Sequence, residues 1–488
     1  MNTHSSPPIS GIASQTDYSA GYVWWIAVAA ALGGLLFGYD WVVVGGARQF
    51  YEIYFRLSSA ALVGWANSCA LIGCLIGSLA AGSLANRYGR RPVLLISAIL
   101  FAVSSVFTGS AHVFVSFIVW RIIGGTAIGL SSNVAPLYIA EISPAPIRGR
   151  LVSLNQFAIV IGILLAQVVN WEIARPVTTS SSQAIFSWNV QVGWRWMFVA
   201  VAVPATIFIL SSLLLPESPR WLMTKGRDAR AHAVLSRVGG LVYAGAEVAA
   251  IRKALFLEVD TRKQWRELLR PGVRRTVLLG AALAVLQQWT GINILFNYAG
   301  DVYRRAGYGA NQIFLDIVIT GAINLGFTII SMLLVDRLGR RWLMLFGCIG
   351  IGTAHILCAL AFHLGWQGLP ILLLTLAAIA CYALTLAPVT WVLIAEIFPN
   401  RVRAQGVSVA VTSLWAASFL LTYTFPALNH RLGTAGTFLI YGVICLLGFL
   451  LVAAFVPETK GRTLEQIESD SEARASRQAA PSAGNSRS

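Results

Sequence analysis

The sequence predicts an all-α membrane protein, with twelve transmembrane helices in two pseudo-symmetric six-helix bundles. Three observations carry this. The 488 residues are 57% hydrophobic and only 11% charged, against about 25% charged in soluble domains. Twelve stretches approach the ~20 apolar residues that a spanning helix needs. Two charged loop motifs also recur, in the same order, in the two halves of the chain.

The elements follow in order. Residues 1–21 are a polar tail, with no basic stretch leading into an apolar one, so no cleaved signal peptide is expected. The first six spans lie near 22–46, 59–83, 92–111, 114–140, 151–172 and 193–215, making an N-terminal bundle over 22–215. Gly73-x-x-x-Gly77 and Gly125-x-x-x-Gly129 are small-residue spacings that let helices approach closely. Residues 216–274 are rich in Arg and Lys, with amphipathic stretches at 227–238 and 246–258. They read as a helical linker on the cytoplasmic surface, able to touch anionic lipid. The last six spans lie near 275–299, 312–335, 342–364, 369–395, 404–426 and 434–456, making a C-terminal bundle over 275–456. Residues 457–488 form a second tail.

The duplication is explicit. Arg87-Tyr-Gly89-Arg90-Arg91 returns as Arg337-Leu-Gly339-Arg340-Arg341, 250 positions on. Glu141-Ile-Ser-Pro-Ala-Pro-Ile-Arg148 returns as Glu396-Ile-Phe-Pro-Asn-Arg-Val-Arg403, 255 positions on. Parallel repeats around a site at mid-membrane are a known transporter architecture.

The net charge of +16 would suggest nucleic acid in a soluble protein. Here it concentrates in alternate connections, including Arg401 and, in the tail, Lys460 and Arg462. That is the bias of basic residues toward cytoplasmic loops. No nucleic-acid partner is expected. With an even number of spans, both termini face the cytoplasm of a multi-pass protein in the inner or plasma membrane. The six cysteines lie in apolar segments without a C-x-x-C pair, so they read as small buried hydrophobes. No metal, cofactor or nucleophile–base pair is indicated, and Gly89-Arg90-Arg91 has too few glycines to cradle phosphate.

Gln287-Gln288-Trp289-Thr290-Gly291-Ile292-Asn293 places three amides inside an apolar stretch. Amides are costly in hydrocarbon without partners. They match a polar, uncharged ligand such as a sugar, whose hydroxyls both donate and accept; the competing reading is hydrogen-bonded glue between helices. At a rise of ~1.5 Å per residue, Gln287 and Gln288 lie ~18 Å into the seventh span, level with Asn324 and Trp415. Gln287 and Asn293 are roughly 240° apart on a straight helix at ~100° per residue. Both can face inward only if the helix is distorted near Thr290-Gly291. Trp391 is open to a cavity-lining or an interfacial reading.

Asp40 and Arg121 both fall within ~9–12 Å of one membrane boundary, on the first and fourth spans. Unpaired charge there is expensive, so the two are expected to face each other. An arginine stabilises the charged carboxylate, so separating the pair would favour protonation. That is a proton-coupling switch; a static packing pair is the alternative. Asp316 is a second buried-acid candidate, or an acid facing water at a cavity mouth.

Together these residues resemble the sugar porter family of the major facilitator superfamily. The resemblance rests on Phe37-Gly-Tyr-Asp40, the two Gly-Arg-Arg loops, Pro216-Glu-Ser-Pro-Arg220-Trp-Leu, Gln287-Gln288-x-x-Gly-Ile-Asn293 and Pro457-Glu-Thr-Lys-Gly-Arg462. It covers about residues 20–465 and implies the major facilitator fold, alternating access and a monosaccharide held between the halves. It further implies that Gln156, Gln287, Gln288, Asn293 and Asn324 bind sugar hydroxyls beside Trp415, and that an acid at Asp40 marks proton symport. Arg90, Arg91, Glu141, Arg148, Arg340, Arg341, Glu396 and Arg403 match the family's cytoplasmic gate. Four places depart from the pattern: Leu384-Thr385-Leu386-Ala387, Leu414, Asn297 and Asn86. Asn86 replaces an acid that Asp336 keeps in the other half.

The resulting expectation is a monomeric transporter in the lipid bilayer, importing a hexose or pentose with a proton, and not an enzyme. Two rival readings stay open, a facilitative uniporter and a non-transporting sugar sensor. The short tail after Val456 argues against the sensor. An exporter of drugs would call for a more apolar pocket.

Overall fold

The computed structural model describes residues 18–176, 185–256, 267–398 and 402–458. Most of the two tails, with Lys460 and Arg462, and also Arg401, lie outside the described residues. The N-terminal half is built from α1 (Ala20–Tyr54), α2 (Ala60–Tyr88), α3 (Arg90–Gly109), α4 (Phe114–Ile142) and α5 (Arg148–Ile173). A π turn at Asn189–Gly193 then leads into α6 (Trp194–Val199) and α7 (Ala202–Leu214), which together form the sixth span.

The linker follows as α8 (Pro219–Thr224) and α9 (Asp228–Phe256). The second half contains α10 (Pro271–Trp289), α11 (Ile292–Asn297), α12 (Ala299–Arg305), α13 (Ala310–Leu338), α14 (Arg340–His363), α15 (Leu369–Leu384), α16 (Leu386–Ile397) and α17 (Arg403–Phe455).

Twelve helical segments are long and apolar enough to cross a membrane. One of these, Asp228–Leu255, belongs to the linker. It is broken at Gly239-Gly240, and neither arm reaches the ~20 residues of a span. The break separates two arms, of which the second contains residues 246–256 of the second amphipathic stretch, and residues 257 and 258 lie outside the described residues. Conversely, α17 holds two spans joined at Gly433, where φ is 69°. The number of spans therefore remains twelve.

Local chemistry explains the element ends. Ser59 caps α2 by accepting from the Leu62 amide at 3.2 Å, satisfying one of the unpaired first-turn donors. Gly89 ends α2 at φ 105° and Gly339 ends α13 at φ 90°, a region that side chains avoid. The duplicated Gly-Arg-Arg loop is thus one tight turn made twice.

Packing follows the small residues. A Cβ on Gly73 would lie 2.0 Å from the Ile122 carbonyl, and one on Gly125 would lie 1.8 Å from that of Ala70. The helices α2 and α4 are in backbone contact, as their glycine spacings led us to expect. The linker docks on the first half, where Trp221 Nε1 donates to the Asn86 carbonyl at 3.0 Å. The halves meet where α2 packs on α17, α5 on α13, and α1 on α11 and α12.

Candidate functional site

The seventh span is broken where the angular argument requires it. The helix α10 stops at Trp289, Gly291 takes φ 82°, and α11 starts at Ile292. The break frees the Thr290 carbonyl. His355, fully buried on α14, meets that carbonyl with Nε2 at 2.8 Å. A backbone polar group freed at membrane depth needs such a partner, and Nε2 is therefore the protonated nitrogen.

The three amides form one chain. Asn293 Nδ2 donates to Gln288 Oε1, Gln288 Nε2 donates to Gln287 Oε1 at 2.9 Å, and Gln287 Nε2 reaches the Ala387 carbonyl at 3.5 Å. The chain spans the break and ends on the tenth span, which is itself interrupted at Thr385 between α15 and α16. That second interruption falls in the apolar stretch singled out as a departure. Its sequence has no glycine to announce it.

Trp415 is 2% exposed, and its Nε1 is buried without a hydrogen-bond partner. Its ring packs on Phe37 and Trp41 of α1, at 5.8 and 6.0 Å between centroids. It therefore bridges the halves. Asn324 is buried on α13, and Gln156 is half-buried on α5. Among the described contacts neither is bonded to the amide chain. Trp391 is partly buried and packs on the main core, which rules out a purely lipid-facing position.

Asp40 and Arg121 do face each other. Arg121 Nη1 donates to Asp40 Oδ1 at 2.8 Å and to Oδ2 at 3.0 Å. Phe198 covers the guanidinium at 5.2 Å. A void of ≈10 Å³ beside the pair is lined by Trp41, Asn67, Arg121 and Asn297, among others. That is about the space of one water. Asp316 is fully enclosed and does not face water: Oδ1 accepts from Gln312 Nε2 at 3.0 Å, and Oδ2 is buried without a partner.

The eight basic and acidic residues at the loop ends gather in two clusters, one per half. In the first, Arg90 pairs with both Glu141 oxygens at 2.9 and 2.8 Å. Arg91 donates to the Leu213 carbonyl and Arg148 to that of Ser143. In the second, Arg340 meets Glu396 at 3.2 Å, Arg341 donates to the Ala453 carbonyl, and Arg403 to that of Phe398.

The sequence reading missed two further members. Glu217 accepts from the Arg90 amide at 2.8 Å, and Glu458 from the Arg340 amide at 3.1 Å. Each carboxylate occupies the place of the absent Cβ, of Gly89 and Gly339 respectively. The echo of Pro216-Glu217-Ser in Pro457-Glu458-Thr was the available signal.

The halves close on each other at the end opposite these clusters. Phe50 stacks on Phe314 at 6.1 Å, Trp65 meets Phe419 edge-on at 6.4 Å, and Gln167 donates to Thr320 at 3.4 Å.

The comparisons agree with this geometry. A family model described as sugar (and other) transporter matches residues 26–470. The D-xylose-proton symporter of Escherichia coli strain K12 is 38% identical over 484 residues, covering 93% of this chain and 96% of the relative. The arabinose-proton symporter of Bacillus subtilis strain 168 is 36% identical over 453 residues, with the same coverages. Among solved structures, the xylose transporter of E. coli in a partially occluded inward-open conformation superposes with a TM-score of 0.80 at 35% identity. That match covers 91% of this chain and all of the other.

Proposed function

Because the chain belongs to the sugar transporter family, we propose that it carries a monosaccharide inward together with a proton, by alternating access. It is a transporter and not an enzyme, a multi-pass protein of the plasma membrane. The observation that carries the proton step is the buried pair in which Arg121 holds both oxygens of Asp40. A carboxylate kept charged by one cation takes up a proton when that cation withdraws.

The sugar site is the amide chain Gln287–Gln288–Asn293 with Gln156, Asn324 and Trp415. The amides partner one another and the Ala387 carbonyl, which keeps them satisfied. Sugar hydroxyls would replace those bonds one for one, and one of them would accept from the free Trp415 Nε1. The clusters around Arg90, Arg91, Glu141 and Arg148, and around Arg340, Arg341, Glu396 and Arg403, form the cytoplasmic gate. Each stiffens the inner end of its own half. The basic loops support a cytoplasmic position for both termini. The mouth closed by Phe50 and Phe314 then faces outward. One copy holds the whole site, so a monomer suffices.

The test is uptake of a panel of pentoses and hexoses into proteoliposomes, with and without an inward proton gradient. At least one sugar should accumulate above its external concentration only with the gradient. Equal accumulation in both conditions would return the chain to facilitative transport.

A further inference from the structure

The outer mouth contains charges that neither the sugar site nor the proton pair uses. Arg48 lies eight residues beyond Asp40 on α1, about 12 Å outward along the helix. It is 4% exposed. One end of its guanidinium pairs with Asp301 of α12, in the other half of the molecule, and the other end meets Glu52 at 3.3 Å. Its face covers the Tyr298 ring at 4.5 Å. Next to it, Arg304 donates to Gln49 Oε1 at 2.8 Å, again from one half to the other. By contrast Arg90–Glu141, Arg121–Asp40 and Arg340–Glu396 each lie within one half.

The segment that Arg48 grips is the outer arm beyond the break in the seventh span. It begins at the Gly291 break, carries Asn293 of the amide chain, bends at Tyr298 and reaches Asp301. At Gly45, α1 touches this segment directly: a Cβ there would lie 2.5 Å from the Phe296 carbonyl. The first span thus carries Asp40 at one level and Arg48 two turns further out. The broken seventh span carries Asn293, and the short helix α12 that follows it carries Asp301.

We propose that Arg48 is a positioning residue for transport, whose ion pair with Asp301 latches the outer arm of the seventh span to the first span and holds the outer mouth shut. This rests on the transporter reading above. A bond made in the closed mouth and absent in the open one biases the equilibrium by its full differential strength. Arg48 is buried and the Asp301 side chain is 28% exposed, so water screens the pair only in part. Loss of Asp301 leaves the buried Arg48 with Glu52 alone as an ion-pair partner among the described residues. The latch also acts on the arm that holds Asn293, so sugar engagement and mouth closure share one moving part.

The experiment reads the mouth directly. Phe50→Cys places a thiol on the closing face, where a membrane-impermeant maleimide reaches it only when the mouth opens. The six native cysteines lie within the packed spans, five of them fully buried. In right-side-out vesicles, Asp301→Asn and Arg48→Gln should each raise the labelling rate about tenfold. The double variant Arg48→Gln with Asp301→Asn should label no faster than either single variant, a non-additivity that independent misfolding does not give. Monodispersity in detergent and the conservative Asp301→Glu variant control for folding. Labelling unchanged in both single variants, or increases that simply multiply in the double variant, overturns the latch. Failure of the parent to accumulate any sugar would instead overturn the transporter reading, while leaving the labelling result interpretable.

Discussion

One nitrogen of Arg121 holds both oxygens of Asp40, at 2.8 and 3.0 Å, while its Nε stays buried without a partner. This is a lopsided grip. A side-on fork from two nitrogens would be the stronger arrangement. The arginine here is committed to the carboxylate at one corner only, and the water-sized void lies against it.

Replacing Asp40 by Asn removes the proton acceptor and keeps the shape. Uphill accumulation should fall to an inside-to-outside ratio of about one, while exchange of labelled for unlabelled sugar persists. Parallel exchange and accumulation assays in proteoliposomes check this. A variant that still concentrates sugar would show that Asp40 is a packing residue and that the proton binds elsewhere.

Gln288 sits at the centre of the amide chain, accepting from Asn293 and donating to Gln287. Gln288→Ala should weaken sugar binding by about five- to 150-fold, since a polar contact to a buried ligand is worth about 1–3 kcal/mol. Thermal stability should fall as well, because Asn293 and Gln287 lose a partner. Calorimetric titration separates the two effects. Reduced stability with unchanged affinity would make the amides structural glue.

Much of this architecture is legible in the chain. Apolar length gives the spans, the offset motifs give the two halves, and the angle between Gln287 and Asn293 gives the break at Gly291. Asp40 opposite Arg121 follows from depth and the cost of lone charge. What was not legible depended on contacts between distant elements. Nothing local marks His355 as the donor for the Thr290 carbonyl, because a lone histidine in an apolar span has many uses. The interruption at Thr385 has no glycine or proline at the break itself. Glu217 and Glu458 were quoted within motifs, but their role as stand-ins for an absent Cβ exists only once the turn is built.

Those two turns give a graded prediction. Gly89→Ala puts a methyl 2.2 Å from Glu217 Oε2, and Gly339→Ala puts one 2.8 Å from Glu458 Oε2, both at positive φ. Backbone strain of this kind costs about 1–3 kcal/mol. Both variants should melt several degrees lower in detergent, with Gly89→Ala the worse because its carboxylate must move farther. Thermal unfolding followed by tryptophan fluorescence orders them. The reverse order would mean that Glu217 yields more easily than its place between the Arg90 and Ser218 amides implies.

The outer latch and the proton pair should separate by pH. Burial pushes the Asp301 carboxyl up, but Arg48, with Arg304 and Arg305, more than offsets it and holds the carboxyl below its usual range. Glu52, Tyr298 and Tyr51 are the other titratable groups at this point. A depressed carboxyl contributes stability that is complete above its unfolded value of about 3.9 and is lost only as pH falls through the lower folded value. Labelling of Phe50→Cys, normalised to a free thiol in the same sample, should therefore stay flat from about pH 8 to pH 5. Sugar uptake over that window should still rise as the external proton concentration rises, because the proton gradient drives it. Asp301→Asn should raise the labelling baseline and leave the shape of the uptake profile alone. Labelling that climbs between pH 7 and 5 would mean that Asp301 is easily protonated and that Arg48 does not hold it.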